Sequence, residues 1–318
     1  MRYKIKSFFK NSFENNNIVS NILSSKTLNQ KIINNSTIVF LFHSISDNPS
    51  KSYQSNALHV KLNNFKFQID YIKSNFNIIS PLDIDKKYTK PAALITFDDG
   101  LLDYYTNAVP ILNKLNVPSI NFINFYSVEN NFNIKLAKNF LKIKKISYVD
   151  KSDKEYNEQS LFESDKYKLF LKTNDLYDEF IIFQGNFLSL KELSEFENYS
   201  NVYIGNHLYE HFRATKIDDN LKKYQYQTNK IKLQKYKNYL DYFSYPFGRY
   251  NIDYNKDTDK LFKNLAVKKI FYADFINSKI NSKCISRLVL MNTINSEKLF
   301  RKHIALSLLK SNINKFSF

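Results

Sequence analysis

The stretch that ends in Asp98 and Asp99 constrains this chain more than any other, because an apolar run stops there in two adjacent carboxylates. The run Ala92 to Phe97, bounded by Pro91 and Gly100, is typical of a buried strand in a parallel sheet. Two acids at such a strand end are costly to desolvate unless a metal ion or hydrogen-bond donors compensate them. α/β enzymes place their chemistry at this end of their strands. The alternative is a polar turn, since Asp-Gly is a common turn signal.

A pair of histidines gives the two carboxylates a possible partner. The chain has five histidines, and His207 and His211 follow a short predicted strand, Val202 to Ile204. A spacing of four places both imidazoles on one face of a helix, and a tight loop can also bring them together. Two histidines and one carboxylate form a three-ligand set with open positions for a catalytic divalent ion. With Asp98 and Asp99 available at the end of the other strand, we therefore expect a metal site that joins this pair to one of the two carboxylates.

The order of predicted elements indicates an α/β fold. Strands and helices alternate along the chain, which implies right-handed parallel crossovers, and about seven strands suit a distorted parallel (β/α) barrel. A chain of 318 residues is long enough for one such domain with an insertion. We divide it into an N-terminal basic arm (1–34) and a barrel (35–318), with an inserted helical segment at about 127–186. That segment either shapes a substrate groove or is a passive decoration.

We attribute the strongly basic net charge mainly to a compositional bias toward lysine. The net charge is +17, but nearly all of it comes from lysine, whereas proteins that read bases favour the bidentate guanidinium of arginine. We therefore expect no nucleic-acid partner. The single cysteine, Cys284, excludes an intramolecular disulfide and a cysteine-based metal cluster.

The N-terminus predicts where the protein works. It shows no signal peptide, and no window of about 18 apolar residues could span a membrane. The first 30 residues are basic and carry Ile5, Phe8, Phe9 and Phe13 on one side, a pattern that allows contact with a membrane surface. We expect a cytoplasmic or peripherally membrane-associated protein. For these first residues themselves, a packed or frayed terminus is the interpretation that we favour over membrane contact.

Four stretches in order carry a family resemblance. Thr96-Phe97-Asp98-Asp99-Gly100 and Gly205-x-His207-x-x-x-His211 resemble motifs of the polysaccharide deacetylases, the carbohydrate esterases with a NodB homology domain. The segment from Phe243 to Gly248 is similar to the tyrosine-proline-aromatic-glycine motif of that family, and Phe40 to Ile45 is similar to the entry strand of members that act on exported polymers. The resemblance implies a NodB-type barrel that removes N-acetyl groups from amino sugars of a polysaccharide or glycolipid.

The resemblance also implies the roles of the two acids. Asp99, His207 and His211 would hold one divalent metal ion, with Zn²⁺ expected first and Co²⁺, Ni²⁺, Mn²⁺ or Fe²⁺ as alternatives. Asp98 would be the general base that takes a proton from water. The residues alone leave open which of the two aspartates binds the ion.

The proline motif would supply the rest of the pocket. By resemblance, the backbone N–H at Phe247 stabilises the oxyanion, and Tyr245 and Pro246 form a wall of the site. The carbohydrate substrate would bind here, as an N-acetylated amino sugar of a polymer or a lipid-linked glycan.

The chain departs from the family pattern in three places. The late Leu-x-His motif, the usual source of the general acid, reads Leu288-Val289-Leu290, so we expect His43 at the end of the first strand to act instead. The proline motif has Ser244 where an arginine is usual, and Arg287 could orient Asp98 from the last strand. Leu208 stands where a serine or threonine usually follows the first histidine.

Two other functions stay open at this point. The chain could be a non-catalytic glycan-binding protein that kept the barrel and lost its acid. It could also be a different metal hydrolase on the same fold, either a deformylase or an O-esterase acting on a lipid-linked sugar.

Overall fold

A computed structural model describes residues 21–34, 36–148, 163–273 and 283–315 of the chain. The strands in these ranges are β1 (Thr37–Phe42), β2 (Ser44–Ile45), β3 (His59–Val60), β4 (Asn77–Ile78), β5 (Ala92–Asp98), β6 (Ser119–Ile123), β7 (Val202–Asn206), β8 (Tyr239–Ser244), β9 (Lys269–Tyr272) and β10 (Cys284–Val289). The α-helices are α1 (Lys26–Ile33), α2 (Lys51–Ser55), α3 (Leu62–Asn75), α4 (Val109–Lys114), α5 (Phe125–Asn130), α6 (Ile134–Lys144), α7 (Glu163–Thr173), α8 (Tyr177–Gln184), α9 (Leu190–Glu195), α10 (Asp219–Leu233), α11 (Lys256–Asn264) and α12 (Glu297–Lys315).

Seven of the strands close into a barrel. The order around it is β1-β5-β6-β7-β8-β9-β10, and β10 pairs with β1 again. Every one of these pairings is parallel. The short strand β4 adds a further parallel pairing at the start of β5 and lies outside the ring. The predicted distorted parallel barrel is confirmed.

The interior of the barrel is lined by alternate residues of each strand. Val39, Leu94, Phe122, Phe271 and Ile285 come from five different strands and pack in one buried cluster. Successive side chains of a strand point to opposite faces, so one residue in two faces the interior. The same alternation therefore directs a side chain near the carboxyl end of each strand into the barrel. Because the strands are parallel, these side chains meet at one end, which we call the upper end of the barrel.

A close contact explains one glycine of the second motif. Gly205 lies in the barrel wall on β7, where a Cβ atom would stand 2.6 Å from the ring of Phe122. Such a distance is too short for a side chain, so the position needs glycine for the neighbouring strands to approach.

Between β6 and β7 the chain leaves the barrel and forms the helices α5 to α9. Helices α6, α7 and α8 lie where the sequence predicts helical segments, near 134–145, 161–172 and 175–184. They build a hydrophobic cluster of their own, which includes Phe132, Phe140, Leu171 and Phe180. Phe212, which follows the second histidine, belongs to the same cluster. The insertion therefore packs directly against the loop that carries the two histidines.

The end of the predicted N-terminal arm packs on the last helix. The Asn29 amide donates to the Arg301 carbonyl oxygen at 2.9 Å, and Ile33 is buried in the main core. The first 20 residues, with the amphipathic pattern of Ile5, Phe8, Phe9 and Phe13, lie outside the described residues. Among the residues that are described, no helix is long and apolar enough to cross a bilayer.

Helix α10 is shorter than the pattern from Ile217 to Leu240 predicts. Asp218 caps its start by accepting the Leu221 N–H at 2.8 Å, and the helix ends at Leu233. The chain must then turn to enter β8 at Tyr239, which the charged helical pattern alone does not reveal.

Candidate active site

Asp98 ends β5 inside the barrel and is held there by an arginine from another strand. Arg287 on β10 makes two parallel bonds of 2.7 Å to the two oxygens of Asp98, and its guanidinium also donates to the Ser244 hydroxyl at 2.7 Å. Arg287 is fully buried and Asp98 is 3% exposed. Burial by itself raises the pKa of Asp98, but the charge and hydrogen bonds of Arg287 together with the charges of His207 and His43 outweigh it, and the pKa lies below its usual value. Asp98 is therefore ionised at neutral pH although it is buried.

Ser244 stands at the position where the resemblance leads one to expect an arginine. Its hydroxyl lies between the guanidinium of Arg287 and the carboxylate of Asp98, 3.5 Å from the latter. The cation that the proline motif lacks therefore reaches Asp98 from β10 instead. A small side chain at position 244 leaves room for this ion pair.

Asp99 and the two histidines come together beside Asp98. The Oδ1 atom of Asp99 lies 3.4 Å from His207 Nε2 and 3.1 Å from His211 Nε2. One potential ligand atom from each residue lies within 4.8 Å of the others. The histidines stand on the loop after β7 rather than on a helix.

The donor set fits a divalent metal ion. The Ser244 carbonyl oxygen lies 2.8 Å from Nδ1 of His207, so that nitrogen donates and Nε2 stays available as a ligand. Burial lowers the pKa of His207, but the negative charges of Asp98 and Asp99 outweigh it and raise the pKa. Burial likewise raises the pKa of Asp99, but His211 and His207 bring it well below its usual value. The shift of His207 shows that the two aspartates favour positive charge beside them, and the shift of Asp99 keeps that carboxylate ionised, as a cation ligand must be.

The backbone of the site is strained at the residues that matter. Asp99, Leu208, His211 and Phe247 all have positive φ, at 78°, 60°, 62° and 66°. Residues other than glycine rarely adopt this conformation, and such strain concentrates at functional sites. It lets Asp99 turn away from its strand toward the histidines while Asp98 stays inside the barrel.

His43 reaches the same site from the end of β1. β1 pairs in parallel with β5 up to Phe42 and Phe97, so His43 follows its strand at the same end of the barrel as Asp98. The charges of Asp99 and Asp98 raise the pKa of His43, and those of Arg287 and His207 lower it. Burial is the largest influence and lowers its pKa, so the imidazole is neutral at neutral pH. The structure thus brings His43 to the site and leaves it short of a proton in the resting state.

The proline motif divides into two parts. Phe247 lies at the site, with its ring centroid 4.9 Å from that of His211 and stacked under Arg213 at 5.0 Å. Tyr245 does not form a wall of the pocket as the resemblance implies. It is fully buried on the outer side of β8, stacked on Tyr254, and its hydroxyl donates to Asp259 of α11 at 3.0 Å. Because Ser244 faces the interior, the alternation of the strand turns the next side chain outward. Pro246 is buried between the two.

Two residues near the candidate ligands, Tyr53 and Glu210, are not predicted by the sequence motifs. The Tyr53 hydroxyl donates to Asp99 Oδ2 at 2.9 Å, and nothing in the pattern of residues 51–55 indicates this contact. Glu210, between the two histidines, accepts from Ser164 at 2.6 Å and from Gln225 at 2.7 Å. The sequence feature that could have identified Glu210 is an acidic residue within the histidine motif, next to apolar residues.

Sequence comparison gives one match. The family model for polysaccharide deacetylase matches residues 85–269, which is more than half of the chain. The matched range includes Asp98, Asp99, His207 and His211, and it excludes the strands that carry His43 and Arg287. No curated protein matches the sequence.

Solved structures share the fold at low identity. The Streptococcus pyogenes deacetylase PplD, solved in complex with acetate, is 16% identical with a TM-score of 0.58, covering 84% of this chain and 97% of its own. IcaB from Ammonifex degensii is 15% identical with a TM-score of 0.55, covering 84% and 97%. A de-N-acetylase from Aggregatibacter actinomycetemcomitans is 15% identical with a TM-score of 0.58, covering 84% and 99%. At these identities the likeness is one of fold.

Proposed function

Because this chain belongs to the polysaccharide deacetylase family, we propose that it removes an N-acetyl group from an amino sugar of a polysaccharide or glycolipid with the aid of one divalent metal ion. The observation that supports this most is the meeting of Asp99, His207 and His211 beside an ionised, buried Asp98. Each side chain then has a distinct task.

Asp99, His207 and His211 would hold the ion, with Zn²⁺ as our first choice. An ion in this position lowers the pKa of a coordinated water and polarises the acetyl carbonyl. The ligand geometry is supported by the Ser244 carbonyl, which holds the His207 ring in the tautomer that presents Nε2.

Asp98 would accept the proton of the attacking water. It is ionised and fixed by the two bonds from Arg287, so its carboxylate is presented without a need to reorganise. Its Oδ2 atom lies 3.9 Å from His207 Nε2, which places it next to the ligand set.

His43 and Phe247 would complete the reaction. His43 stands beside both aspartates and would protonate the leaving amine, for which it must first gain the proton that Asp98 takes from water. The backbone N–H of Phe247 would donate to the oxyanion, since the ring of this residue already lies against His211. Arg287 would act through Asp98 and not on the substrate.

The test is the number of bound ions per chain after reconstitution with excess Zn²⁺ and removal of the free metal. We expect about one ion in the wild type, none in His207→Ala/His211→Ala, and about one in the matched control His59→Ala/His303→Ala. Acetate and formate release from N-acetylated, N-formylated and O-acetylated amino sugars, including lipid-linked ones, then separates deacetylase from deformylase and O-esterase. A folded wild type that retains no ion would sink the proposal and favour a non-catalytic glycan-binding protein.

A further inference from the structure

The two oxygens of Asp99 have different surroundings. Oδ1 faces both histidine Nε2 atoms, at 3.4 Å from His207 and 3.1 Å from His211. Oδ2 faces the other way and accepts the hydroxyl of Tyr53 at 2.9 Å. The hydroxyl thus distinguishes the oxygen that points at the ion site from the one that does not.

Tyr53 is well placed to hold this arrangement. It is 6% exposed and packs with Leu101 and Phe187, which are also buried. A ring fixed by packing gives its hydroxyl a defined position, so the hydrogen bond costs little side-chain entropy. Asp99 itself has a strained backbone conformation. The hydrogen bond from Tyr53 restricts the rotation of its carboxylate group.

The helix that carries Tyr53 is anchored on its other side to the insertion. The hydroxyls of Ser50 and Ser52 both donate to the carbonyl oxygen of Gln184, at 3.0 and 3.1 Å. Gln184 is the last residue of α8, and the next residue, Gly185, approaches so closely that a Cβ there would stand 2.9 Å from Ser50 Cβ. Helix α2 therefore joins the end of the insertion to a residue of the ion site.

Gln184 in turn is firmly tied within the insertion. Its side chain accepts the Asn133 N–H at 2.8 Å and donates to the Asn131 carbonyl oxygen at 2.8 Å. It is fully buried. The carbonyl that receives the two serines is consequently a fixed point and not a loose helix end.

We propose that Tyr53 is a positioning residue that reserves Asp99 Oδ1 for the metal ion, and that the contact of Ser50 and Ser52 with Gln184 holds Tyr53 in place. The proposal rests on the proposed function, because it requires an ion at Asp99, His207 and His211. With Oδ2 occupied, the carboxylate binds through one oxygen. Without the hydroxyl, the carboxylate can rotate or bind through both oxygens, which changes the number of ligands around the ion. The insertion thereby takes part in building the site.

The experiment uses Co²⁺ alone as the probe and measures two quantities. The dissociation constant comes from competition with a chelator, and the visible d–d absorption reports the coordination number, since higher coordination weakens the band. For Tyr53→Phe we expect about 10–100-fold weaker binding, as is typical when a hydrogen bond to a metal ligand is removed, together with a weaker band. The matched control is Tyr104→Phe, which removes a buried hydroxyl that lies 2.9 Å from Ser119 away from the ligands; it should equal the wild type in both.

A second variant tests the anchor and does not alter the tyrosine. Ser50→Ala/Ser52→Ala should weaken Co²⁺ binding by less than Tyr53→Phe does, and should add nothing when combined with it, because both changes act on the same bond. If Tyr53→Phe fails to fold, this variant tests the proposal by the same two measurements.

The outcomes separate the two proposals. Wild type that binds Co²⁺, with Tyr53→Phe equal to it in affinity and spectrum, overturns the role of Tyr53. Fully additive losses in the combined variant overturn the anchor. Wild type that binds no Co²⁺ overturns the proposed function itself.

Discussion

Two buried carboxylates at opposite sides of the site show how the chain treats charge in its interior. Asp98 lies in the upper end of the barrel and Glu210 lies where the histidine loop meets the insertion, and each is 3% exposed. Asp98 is paired with the guanidinium of Arg287, whereas Glu210 receives its hydrogen bonds from the neutral side chains of Ser164 and Gln225. The two side chains are equally buried, but Asp98 lies among the cationic groups of Arg287, His207 and His43, whereas Glu210 has neutral donors and lies near Asp165 and Glu163.

The pKa values follow the partner. Burial raises the pKa of Asp98, but Arg287 together with His207 and His43 reverses this and lowers it. Burial also raises the pKa of Glu210, neutral donors do not cancel it, and the pKa rises to about 7. The barrel thus keeps a charged carboxylate where the proposed reaction requires a general base. Where the histidine loop meets the insertion, Glu210 instead accepts hydrogen bonds from neutral donors and joins the two segments.

The largest effect on activity should come from removing the negative charge of Asp98. Asp98→Asn should lower kcat for acetate release by about 10²–10⁴-fold, the usual contribution of a general base, while about one ion per chain is retained. Asp99→Asn is the matched variant and should lose the ion. Loss of the ion in Asp98→Asn with retention in Asp99→Asn would exchange the two roles.

Replacing Arg287, the cation that pairs with Asp98, should lower the free energy of unfolding. Arg287→Met leaves Asp98 buried without its partner, and we expect a loss of about 3–5 kcal/mol in the free energy of unfolding, measured by urea denaturation. Arg249→Met is the control, because Asp253 keeps its bond of 2.7 Å to Arg213 and Arg249 is largely exposed. Equal losses in both variants would contradict the special place of the barrel pair.

A third carboxylate, the half-buried Asp103, tests the rule away from the ligands. Asp103 accepts the Ser44 hydroxyl at 2.5 Å. Burial raises its pKa from 3.8 to about 6, although this bond and backbone N–H groups act to lower it. The folded state therefore holds its proton more tightly than the unfolded state does. The stability it contributes is complete below about pH 4 and is lost as the pH rises through about 6.

The measurement compares wild type with Asp103→Asn, which does not titrate. Between pH 4 and pH 7 the wild type should lose about 3 kcal/mol of unfolding free energy relative to the variant, as a shift of about two pKa units implies. Parallel curves over this range would show that burial alone does not set the pKa of Asp103.

The smallest effect should come from the neutral partners of Glu210. Ser164→Ala removes one donor from a buried carboxyl group and should cost about 1–2 kcal/mol in unfolding free energy. Ser194→Ala is the control, because that hydroxyl is exposed and donates to the Leu190 carbonyl of its own helix instead of to a buried carboxyl group. A loss at Ser164 as large as that in Arg287→Met would erase the distinction between the two regions.

The sequence by itself determined the architecture and which residues meet at the candidate site, but not which of the two aspartates faces the histidines. Alternating apolar strands and helices predict a parallel barrel, and residues at strand ends of such a barrel meet at one face. Asp98, Asp99, His207 and His43 all follow directly from strand ends, so their meeting was predictable from local pattern.

Only the tertiary structure decided which residues support that set. Tyr53 and Asp99 are 46 positions apart, as are Ser164 and Glu210, and each bond depends on how a helix outside the barrel is placed against it. No local periodicity encodes that placement. Tyr245 shows the converse, since it belongs to the expected motif but lies on the outer face of β8, where the alternation set by Ser244 directs it.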